Sequence, residues 1–184
     1  MKKNNPMPEI DDFLKILHRR FSCRAYLDQD VEEWKIEKCL EAARLAPSAC
    51  NKQPWRFKIV RSSSLISEIC EKGLLPGISM SWLASAPVIV VLCSDENVVT
   101  HKLAPLLSGV KYQLIDLGIA GEHFVLAATT QGVGTCWIGW FKEKVIRRLL
   151  SIPRGLNIVS LITLGYPAEV IEQPHKKELA DIML

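Results

Sequence analysis

This chain has no long apolar run, no paired-cysteine spacing and no excess of one charge. Each absence closes off a class of function. Its longest apolar run is residues 86–93, far short of the ~20 residues that a membrane-spanning helix needs. Met1-Lys2-Lys3 has no apolar stretch behind it, so it does not read as a secretory leader, and a cytoplasmic location is expected. The six cysteines (Cys23, Cys39, Cys50, Cys70, Cys93 and Cys136) form no CxxC pair, and the four histidines form no HxxxH pair. A zinc site is not expected from such spacing, and in a reducing compartment the cysteines are expected as thiols. With a net charge of only +3 and scattered Lys and Arg, the basic stripe of a nucleic-acid binder is missing. Gly77-Ile78-Ser79-Met80-Ser81 lacks the closing glycine of a GxSxG elbow, and no phosphate-binding P-loop pattern occurs.

What is present suits a globular protein. Hydrophobic residues make up 48% of 184, and a chain of this size buries roughly 70% of its unfolded surface. Residues 1–9 are polar, carry two prolines, and read as a flexible N-terminal arm; residues 10–184 read as one domain. Ile10, Phe13, Leu14 and Leu17 recur at helical spacing and predict a helix over 10–20. Asp30 with Glu33 three residues on resembles a capping box opening a helix that Pro47 stops. Further helices are expected over 62–72, 111–131 and 143–150, and strands over 56–61, 87–93, 135–140 and 157–164. The 87–93 run is continuously apolar, as a strand buried on both faces would be. Two helices at the start argue against a simple βαβ repeat. The expectation is an α+β fold with a central mixed sheet wrapped by helices.

Three segments stand out chemically. In extended backbone, Arg20, Ser22 and Arg24 share one face. Two guanidinium groups flanking a hydroxyl make a phosphate cradle; the plainer reading is a solvated turn at the negative end of a helix. Residues 46–55, Ala-Pro-Ser-Ala-Cys-Asn-Lys-Gln-Pro-Trp, hold amides and backbone between prolines, which suits a heterocycle edge, and Trp55 offers a flat apolar surface. Such residues are also common in ordinary helix-to-strand loops. Residues 132–140, Gly-Val-Gly-Thr-Cys-Trp-Ile-Gly-Trp, are no dinucleotide fingerprint, because they follow a helix and enter a strand. Gly132 reads as a helix stop, and Gly139 as a place where backbone approaches a flat ligand.

In order, R-x-S-x-R, A-P-S-A-x-N-x-Q-P-W, G-x-G-T-C-W-I-G and L-G-Y-P resemble the FMN-dependent nitroreductase family over roughly residues 13–182. The resemblance implies an entwined homodimer with two FMN sites at the subunit interface. Arg20 and Ser22 would hold the FMN phosphate, and Arg24 the phosphate–ribityl side or the pyrimidine edge. Pro47, Ser48, Ala49 and Asn51 would line the ring from the partner subunit, with Gln53 nearby. Trp137, Ile138 and Gly139 would face the flavin, the last two through backbone near N5. Lys176 stands where the family usually has an Arg, and Lys177 is the alternative ligand.

The implied chemistry is ping-pong hydride transfer from NADH or NADPH through flavin N5 to a nitroaromatic, quinone or similar acceptor, with no catalytic side chain. An acceptor pocket is expected around residues 74–82 and 101–112, including Trp82 and Tyr112. Cys50 and Cys136 read as small packing residues. The same scaffold also hosts flavin-dependent dehalogenation, flavin destruction and dehydrogenation. A non-catalytic flavin-binding protein or a plain interaction domain are the rivals outside that chemistry.

Overall fold

A computed structural model describes residues 9–95 and 109–184. The N-terminal arm, apart from Glu9, and residues 101–108 of the expected acceptor pocket lie outside the described residues. Five helices and four strands are described: α1 (Ile10–Arg19), α2 (Glu33–Arg44), β1 (Trp55–Val60), α3 (Ser63–Lys72), β2 (Val88–Asp95), α4 (Tyr112–Thr130), β3 (Gly134–Ile138), α5 (Glu143–Leu149) and β4 (Leu156–Gly165).

Most boundaries fall within a residue or two of the periodicity. Ser62 caps α3, its hydroxyl accepting from the Leu65 N–H. The capping box proposed for α2 does not form. Glu32 is the N-cap and no side chain caps the helix. The chain stays extended past Asp30 because Val31 is drawn into the core, where its carbonyl accepts from Arg61.

The strands form one sheet in the order β1-β2-β4-β3. All three ladders are antiparallel. The parallel pairing expected of a mixed sheet is reduced, among the described residues, to one isolated bridge between Ser22 and Thr135. The reason lies in the connections. The 96–133 connection, which contains α4, joins β2 to β3, two strands that run the same way, and β4 inserts between them. What would have been a parallel pair becomes two antiparallel ladders.

β2 is the centre of the molecule, buried from Val88 to Ser94. Its side chains alternate between two cores. Val88, Val90 and Leu92 meet Leu117, Phe124 and Ala128 of α4 and Ile36 of α2. Ile89, Val91 and Cys93 meet Ile66 and Ile69 of α3 and Ile146 of α5. The sheet is therefore wrapped by helices on both faces, as the apolar run suggested.

Two helices carry more apolar surface than the chain covers. α1 has no buried residue, and Ile10, Phe13 and Leu14 are exposed. On α4, Leu114 and Ile115 are exposed although the opposite side is packed.

Candidate functional site

The 20–24 segment leaves α1 in extended conformation, with Arg20 at φ −68°, ψ 125°. It runs along the free edge of β3, where the Cys23 N–H donates to the Thr135 carbonyl at 2.9 Å. Cys23 is fully buried. Tyr26 adds an anchor, its hydroxyl 2.6 Å from Thr163 Oγ1 and donating to the Cys23 carbonyl at 2.9 Å. Burial pushes the Tyr26 phenol well up, so it stays a neutral donor. With Cys23 turned inward and fully buried, Arg20, Ser22 and Arg24, at the alternate positions, turn to its other side.

Their neighbours reveal what they face. Burial pushes the Glu122 carboxyl of α4 up, while the Arg20 charge and the Trp137 indole oppose that rise. Burial also raises the Cys136 thiol, opposed by the Arg24 charge and by polar contact with Ser22 and Arg24. Ser22 and Arg24 thus lie against Cys136 of β3, and the Arg20 charge is felt at Glu122 of α4. Trp137 can lie across α4 only because residue 121 is glycine; a Cβ there would sit 2.2 Å from the indole ring.

The edge of β3 offers backbone as well. Thr135 turns its carbonyl outward to Cys23, so Trp137, two residues on, turns its backbone groups to the same open side. Beyond it Gly139 is exposed, and an added Cβ would meet nothing within 4 Å.

The 47–53 loop lies apart from this cluster. Its hydrogen bonds go to α4, to Arg56 of β1, which donates to the Gln53 carbonyl at 3.3 Å, and to itself. The Ala49 N–H donates to Asp116 Oδ1 at 3.0 Å, the Gln53 N–H to Ser48 Oγ at 2.9 Å, and the Gln53 amide to the Asn51 side chain at 3.0 Å. Pro47, Asn51 and Gln53 are exposed, and Ser48 and Ala49 half-buried. Cys50 is exposed at φ 51°, so it is not the packing residue expected; Cys136 is buried and is one. Trp55 does not present a flat face outward but is buried in the core.

The tail is tied beside Arg20. Gln173 donates to the carbonyls of Leu17 (2.6 Å), His18 (3.0 Å) and Arg20. Lys176 and Lys177 follow, both exposed. A cavity of ≈ 760 Å³ lies on the other side of the strap, lined by Arg19, Phe21, Gly132 and Val170 among others; none of the expected cofactor residues lines it. Trp82 is half-buried against the core, whereas Trp140, beside Gly139, is 60% exposed. Backbone bonds from Leu75 to the Trp140 carbonyl (3.3 Å) and from Lys142 to the Gly73 carbonyl (2.6 Å) bring residues 73–75 alongside. Glu122 and Asp116 escaped the sequence reading; the available signal was an acid inside and at the start of the otherwise apolar stretch 117–128.

This arrangement matches known proteins across most of its length. The family model described as the nitroreductase family matches residues 17–74 and 71–166. The chain belongs to the nitroreductase family. A protein of Archaeoglobus fulgidus described as a candidate NADH dehydrogenase/NAD(P)H nitroreductase is 34% identical over 166 residues, 87% of this chain and 88% of its own length. The FMN reductase [NAD(P)H] of Bacillus subtilis is 28% identical, over 87% of this chain and 68% of its own. Among solved structures, a nitroreductase family protein of Streptococcus pneumoniae superposes with TM-score 0.81 at 25% identity, covering 94% of this chain and 98% of its own. No helix among the described residues is long and apolar enough to cross a membrane.

Proposed function

We propose that this chain is an FMN-dependent NAD(P)H oxidoreductase that works as a homodimer and reduces nitroaromatic, quinone or similar planar acceptors in a ping-pong cycle. The observation that carries the reading is a glycine without an internal reason. Gly139 has no crowding neighbour, and its φ is not in the left-handed region. Its missing side chain leaves open space beside an outward-facing strand edge, which suits a flat ring. Back along the same strand edge, where Ser22 bridges Thr135, stand two guanidinium groups and a hydroxyl, which suit a phosphate. The names of the nitroreductase and FMN reductase relatives support both the flavin and the nicotinamide donor.

When bound, FMN supplies hydride chemistry at N5, taking the pair from the nicotinamide and passing it to the acceptor. The chain's residues bind and tune. Arg20 and Ser22 hold the phosphate, and Lys176 or Lys177 adds charge from the tail. Arg24 lies toward the phosphate–ribityl side or the pyrimidine edge and stabilises negative charge there. Trp137 and Gly139 face the ring; Ile138, expected to offer backbone there, is instead buried, with its carbonyl accepting from the Ser160 hydroxyl at 3.0 Å. Pro47, Ser48, Ala49, Asn51 and Gln53 of a second copy complete the ring site. The uncovered stripes on α1 and α4 favour such a copy, since contiguous apolar faces mark association surfaces.

The purified protein is expected to be yellow, or to become so on adding FMN. It should bleach anaerobically with NADH or NADPH and recolour with a nitroaromatic or quinone. A folded protein that refuses saturating FMN would refute the assignment. A monomeric variant that still holds FMN tightly would remove the shared site.

A further inference from the structure

We propose that Asp116 is the positioning residue that holds the 48–53 loop in its ligand-ready shape; this rests on the flavin reading above for its effect on FMN, but not for its effect on the loop. Asp116 is 3% exposed. One carboxylate oxygen accepts from the Ala49 N–H at 3.0 Å. The other, Oδ2, is buried and has no hydrogen-bond partner among the described residues. Buried carboxylate oxygens are ordinarily satisfied, and an apolar helix face has no structural use for a half-satisfied acid. The group therefore stands where it does for the one bond it makes.

That bond lies at the entrance of an unusual backbone. Cys50, Asn51 and Gln53 all occupy the left-handed region, at φ 51°, 52° and 48°. Non-glycine residues adopt it only where the surroundings hold them there. The loop's other side-chain bonds are exposed: the Gln53 N–H donates to Ser48 Oγ, the Gln53 amide to Asn51, and the Arg56 guanidinium of β1 to the Gln53 carbonyl at 3.3 Å. Asp116 is the anchor that reaches the loop from a packed helix, with Leu117 and Ala120 buried beside it. Through Ala49 it sets where the Asn51 and Gln53 amides point.

The test compares Asp116→Ala, Asp116→Asn and wild type by amide exchange, with and without FMN, together with the FMN visible spectrum and dissociation constant. Asparagine keeps an accepting oxygen for Ala49; alanine does not. Asp116→Ala is expected to accelerate exchange across 49–53 and to weaken FMN, each by about tenfold or more, the scale of a lost bond to a charged group. Exchange in β2 and β4 should stay unchanged. Asp116→Asn should recover most of both effects and restore the flavin band shape. Should Asp116→Ala fail to fold, Ala49→Pro removes the same bond from the loop side. Wild-type exchange and FMN affinity in Asp116→Ala, or in Ala49→Pro, would overturn the proposal, as would an Asp116→Asn variant as defective as alanine. If wild type itself refuses FMN, the flavin reading falls while the exchange result still decides this one.

Discussion

The 20–24 strap and the 47–53 loop present similar chemistry in two different kinds of structure. The strap is part of the chain's own sheet, bridged to Thr135 and nailed down by buried Cys23 and Tyr26. The loop hangs from one buried side-chain bond to Asp116 and one exposed bond from Arg56, and otherwise holds itself with exposed amides. The strap therefore carries its charges on a backbone that the single chain already fixes. The loop's amides are exposed and bonded to one another, so its shape rests on far fewer buried contacts than that of the strap.

The largest expected effect attacks the floor beneath the strap. In Gly121→Val the new side chain runs into the Trp137 ring, and overpacking of this kind costs about 1–3 kcal/mol. Thermal unfolding should fall by several degrees and FMN should be lost with it. A variant that melts like wild type would show that Trp137 moves freely and does not define the site.

Next is Arg20→Ala. Losing a charge-assisted bond costs about 1.5–3 kcal/mol, or roughly ten- to a hundredfold in affinity. The FMN dissociation constant should rise by that factor while the fold stays intact, because Arg20 is not what anchors the strap. Unchanged affinity, measured by fluorescence titration, would take Arg20 out of the site.

Glu122→Gln gives a smaller effect with a defined sign. Burial holds the folded-state pKa of Glu122 above its ordinary value, so the folded state binds the proton more tightly than the unfolded one. Stability from this group then declines as pH rises from the ordinary carboxylate range through the raised value. Glutamine removes that loss. The variant should melt higher than wild type at pH 8 and gain nothing at pH 4; an equal gain at both would mean that ionisation is not involved.

The smallest effect belongs to the loop. Cys50→Gly relieves a left-handed φ but adds unfolded-state freedom. The net change should be within about 1 kcal/mol of wild type. A loss larger than that in denaturant unfolding would show that the Cys50 side chain is held by contacts the single chain does not make.

Much of this was legible locally. Helical and strand periods placed α1, α3, α4 and all four strands to within a residue or two, because those patterns depend on neighbours in sequence. The alternation of Arg20, Ser22 and Arg24 was legible for the same reason. The capping box at Asp30 failed because a distant core claimed Val31. Trp55 reads as a ligand surface in the sequence because nothing near it there shows that β1 packs it inward. Glu122 and Asp116 were invisible as site residues, since their roles depend on Trp137 and Ala49 from other elements.

The order of short motifs along the chain was enough to determine the family, which the matching family model and the relatives bear out. Only the tertiary structure decided that β4 would slide between β2 and β3, and that apolar faces of α1 and α4 would remain uncovered. The difference is one of range. A pattern repeats within a few residues and can be read along the chain, whereas a buried partner is chosen by packing among segments that the sequence holds far apart.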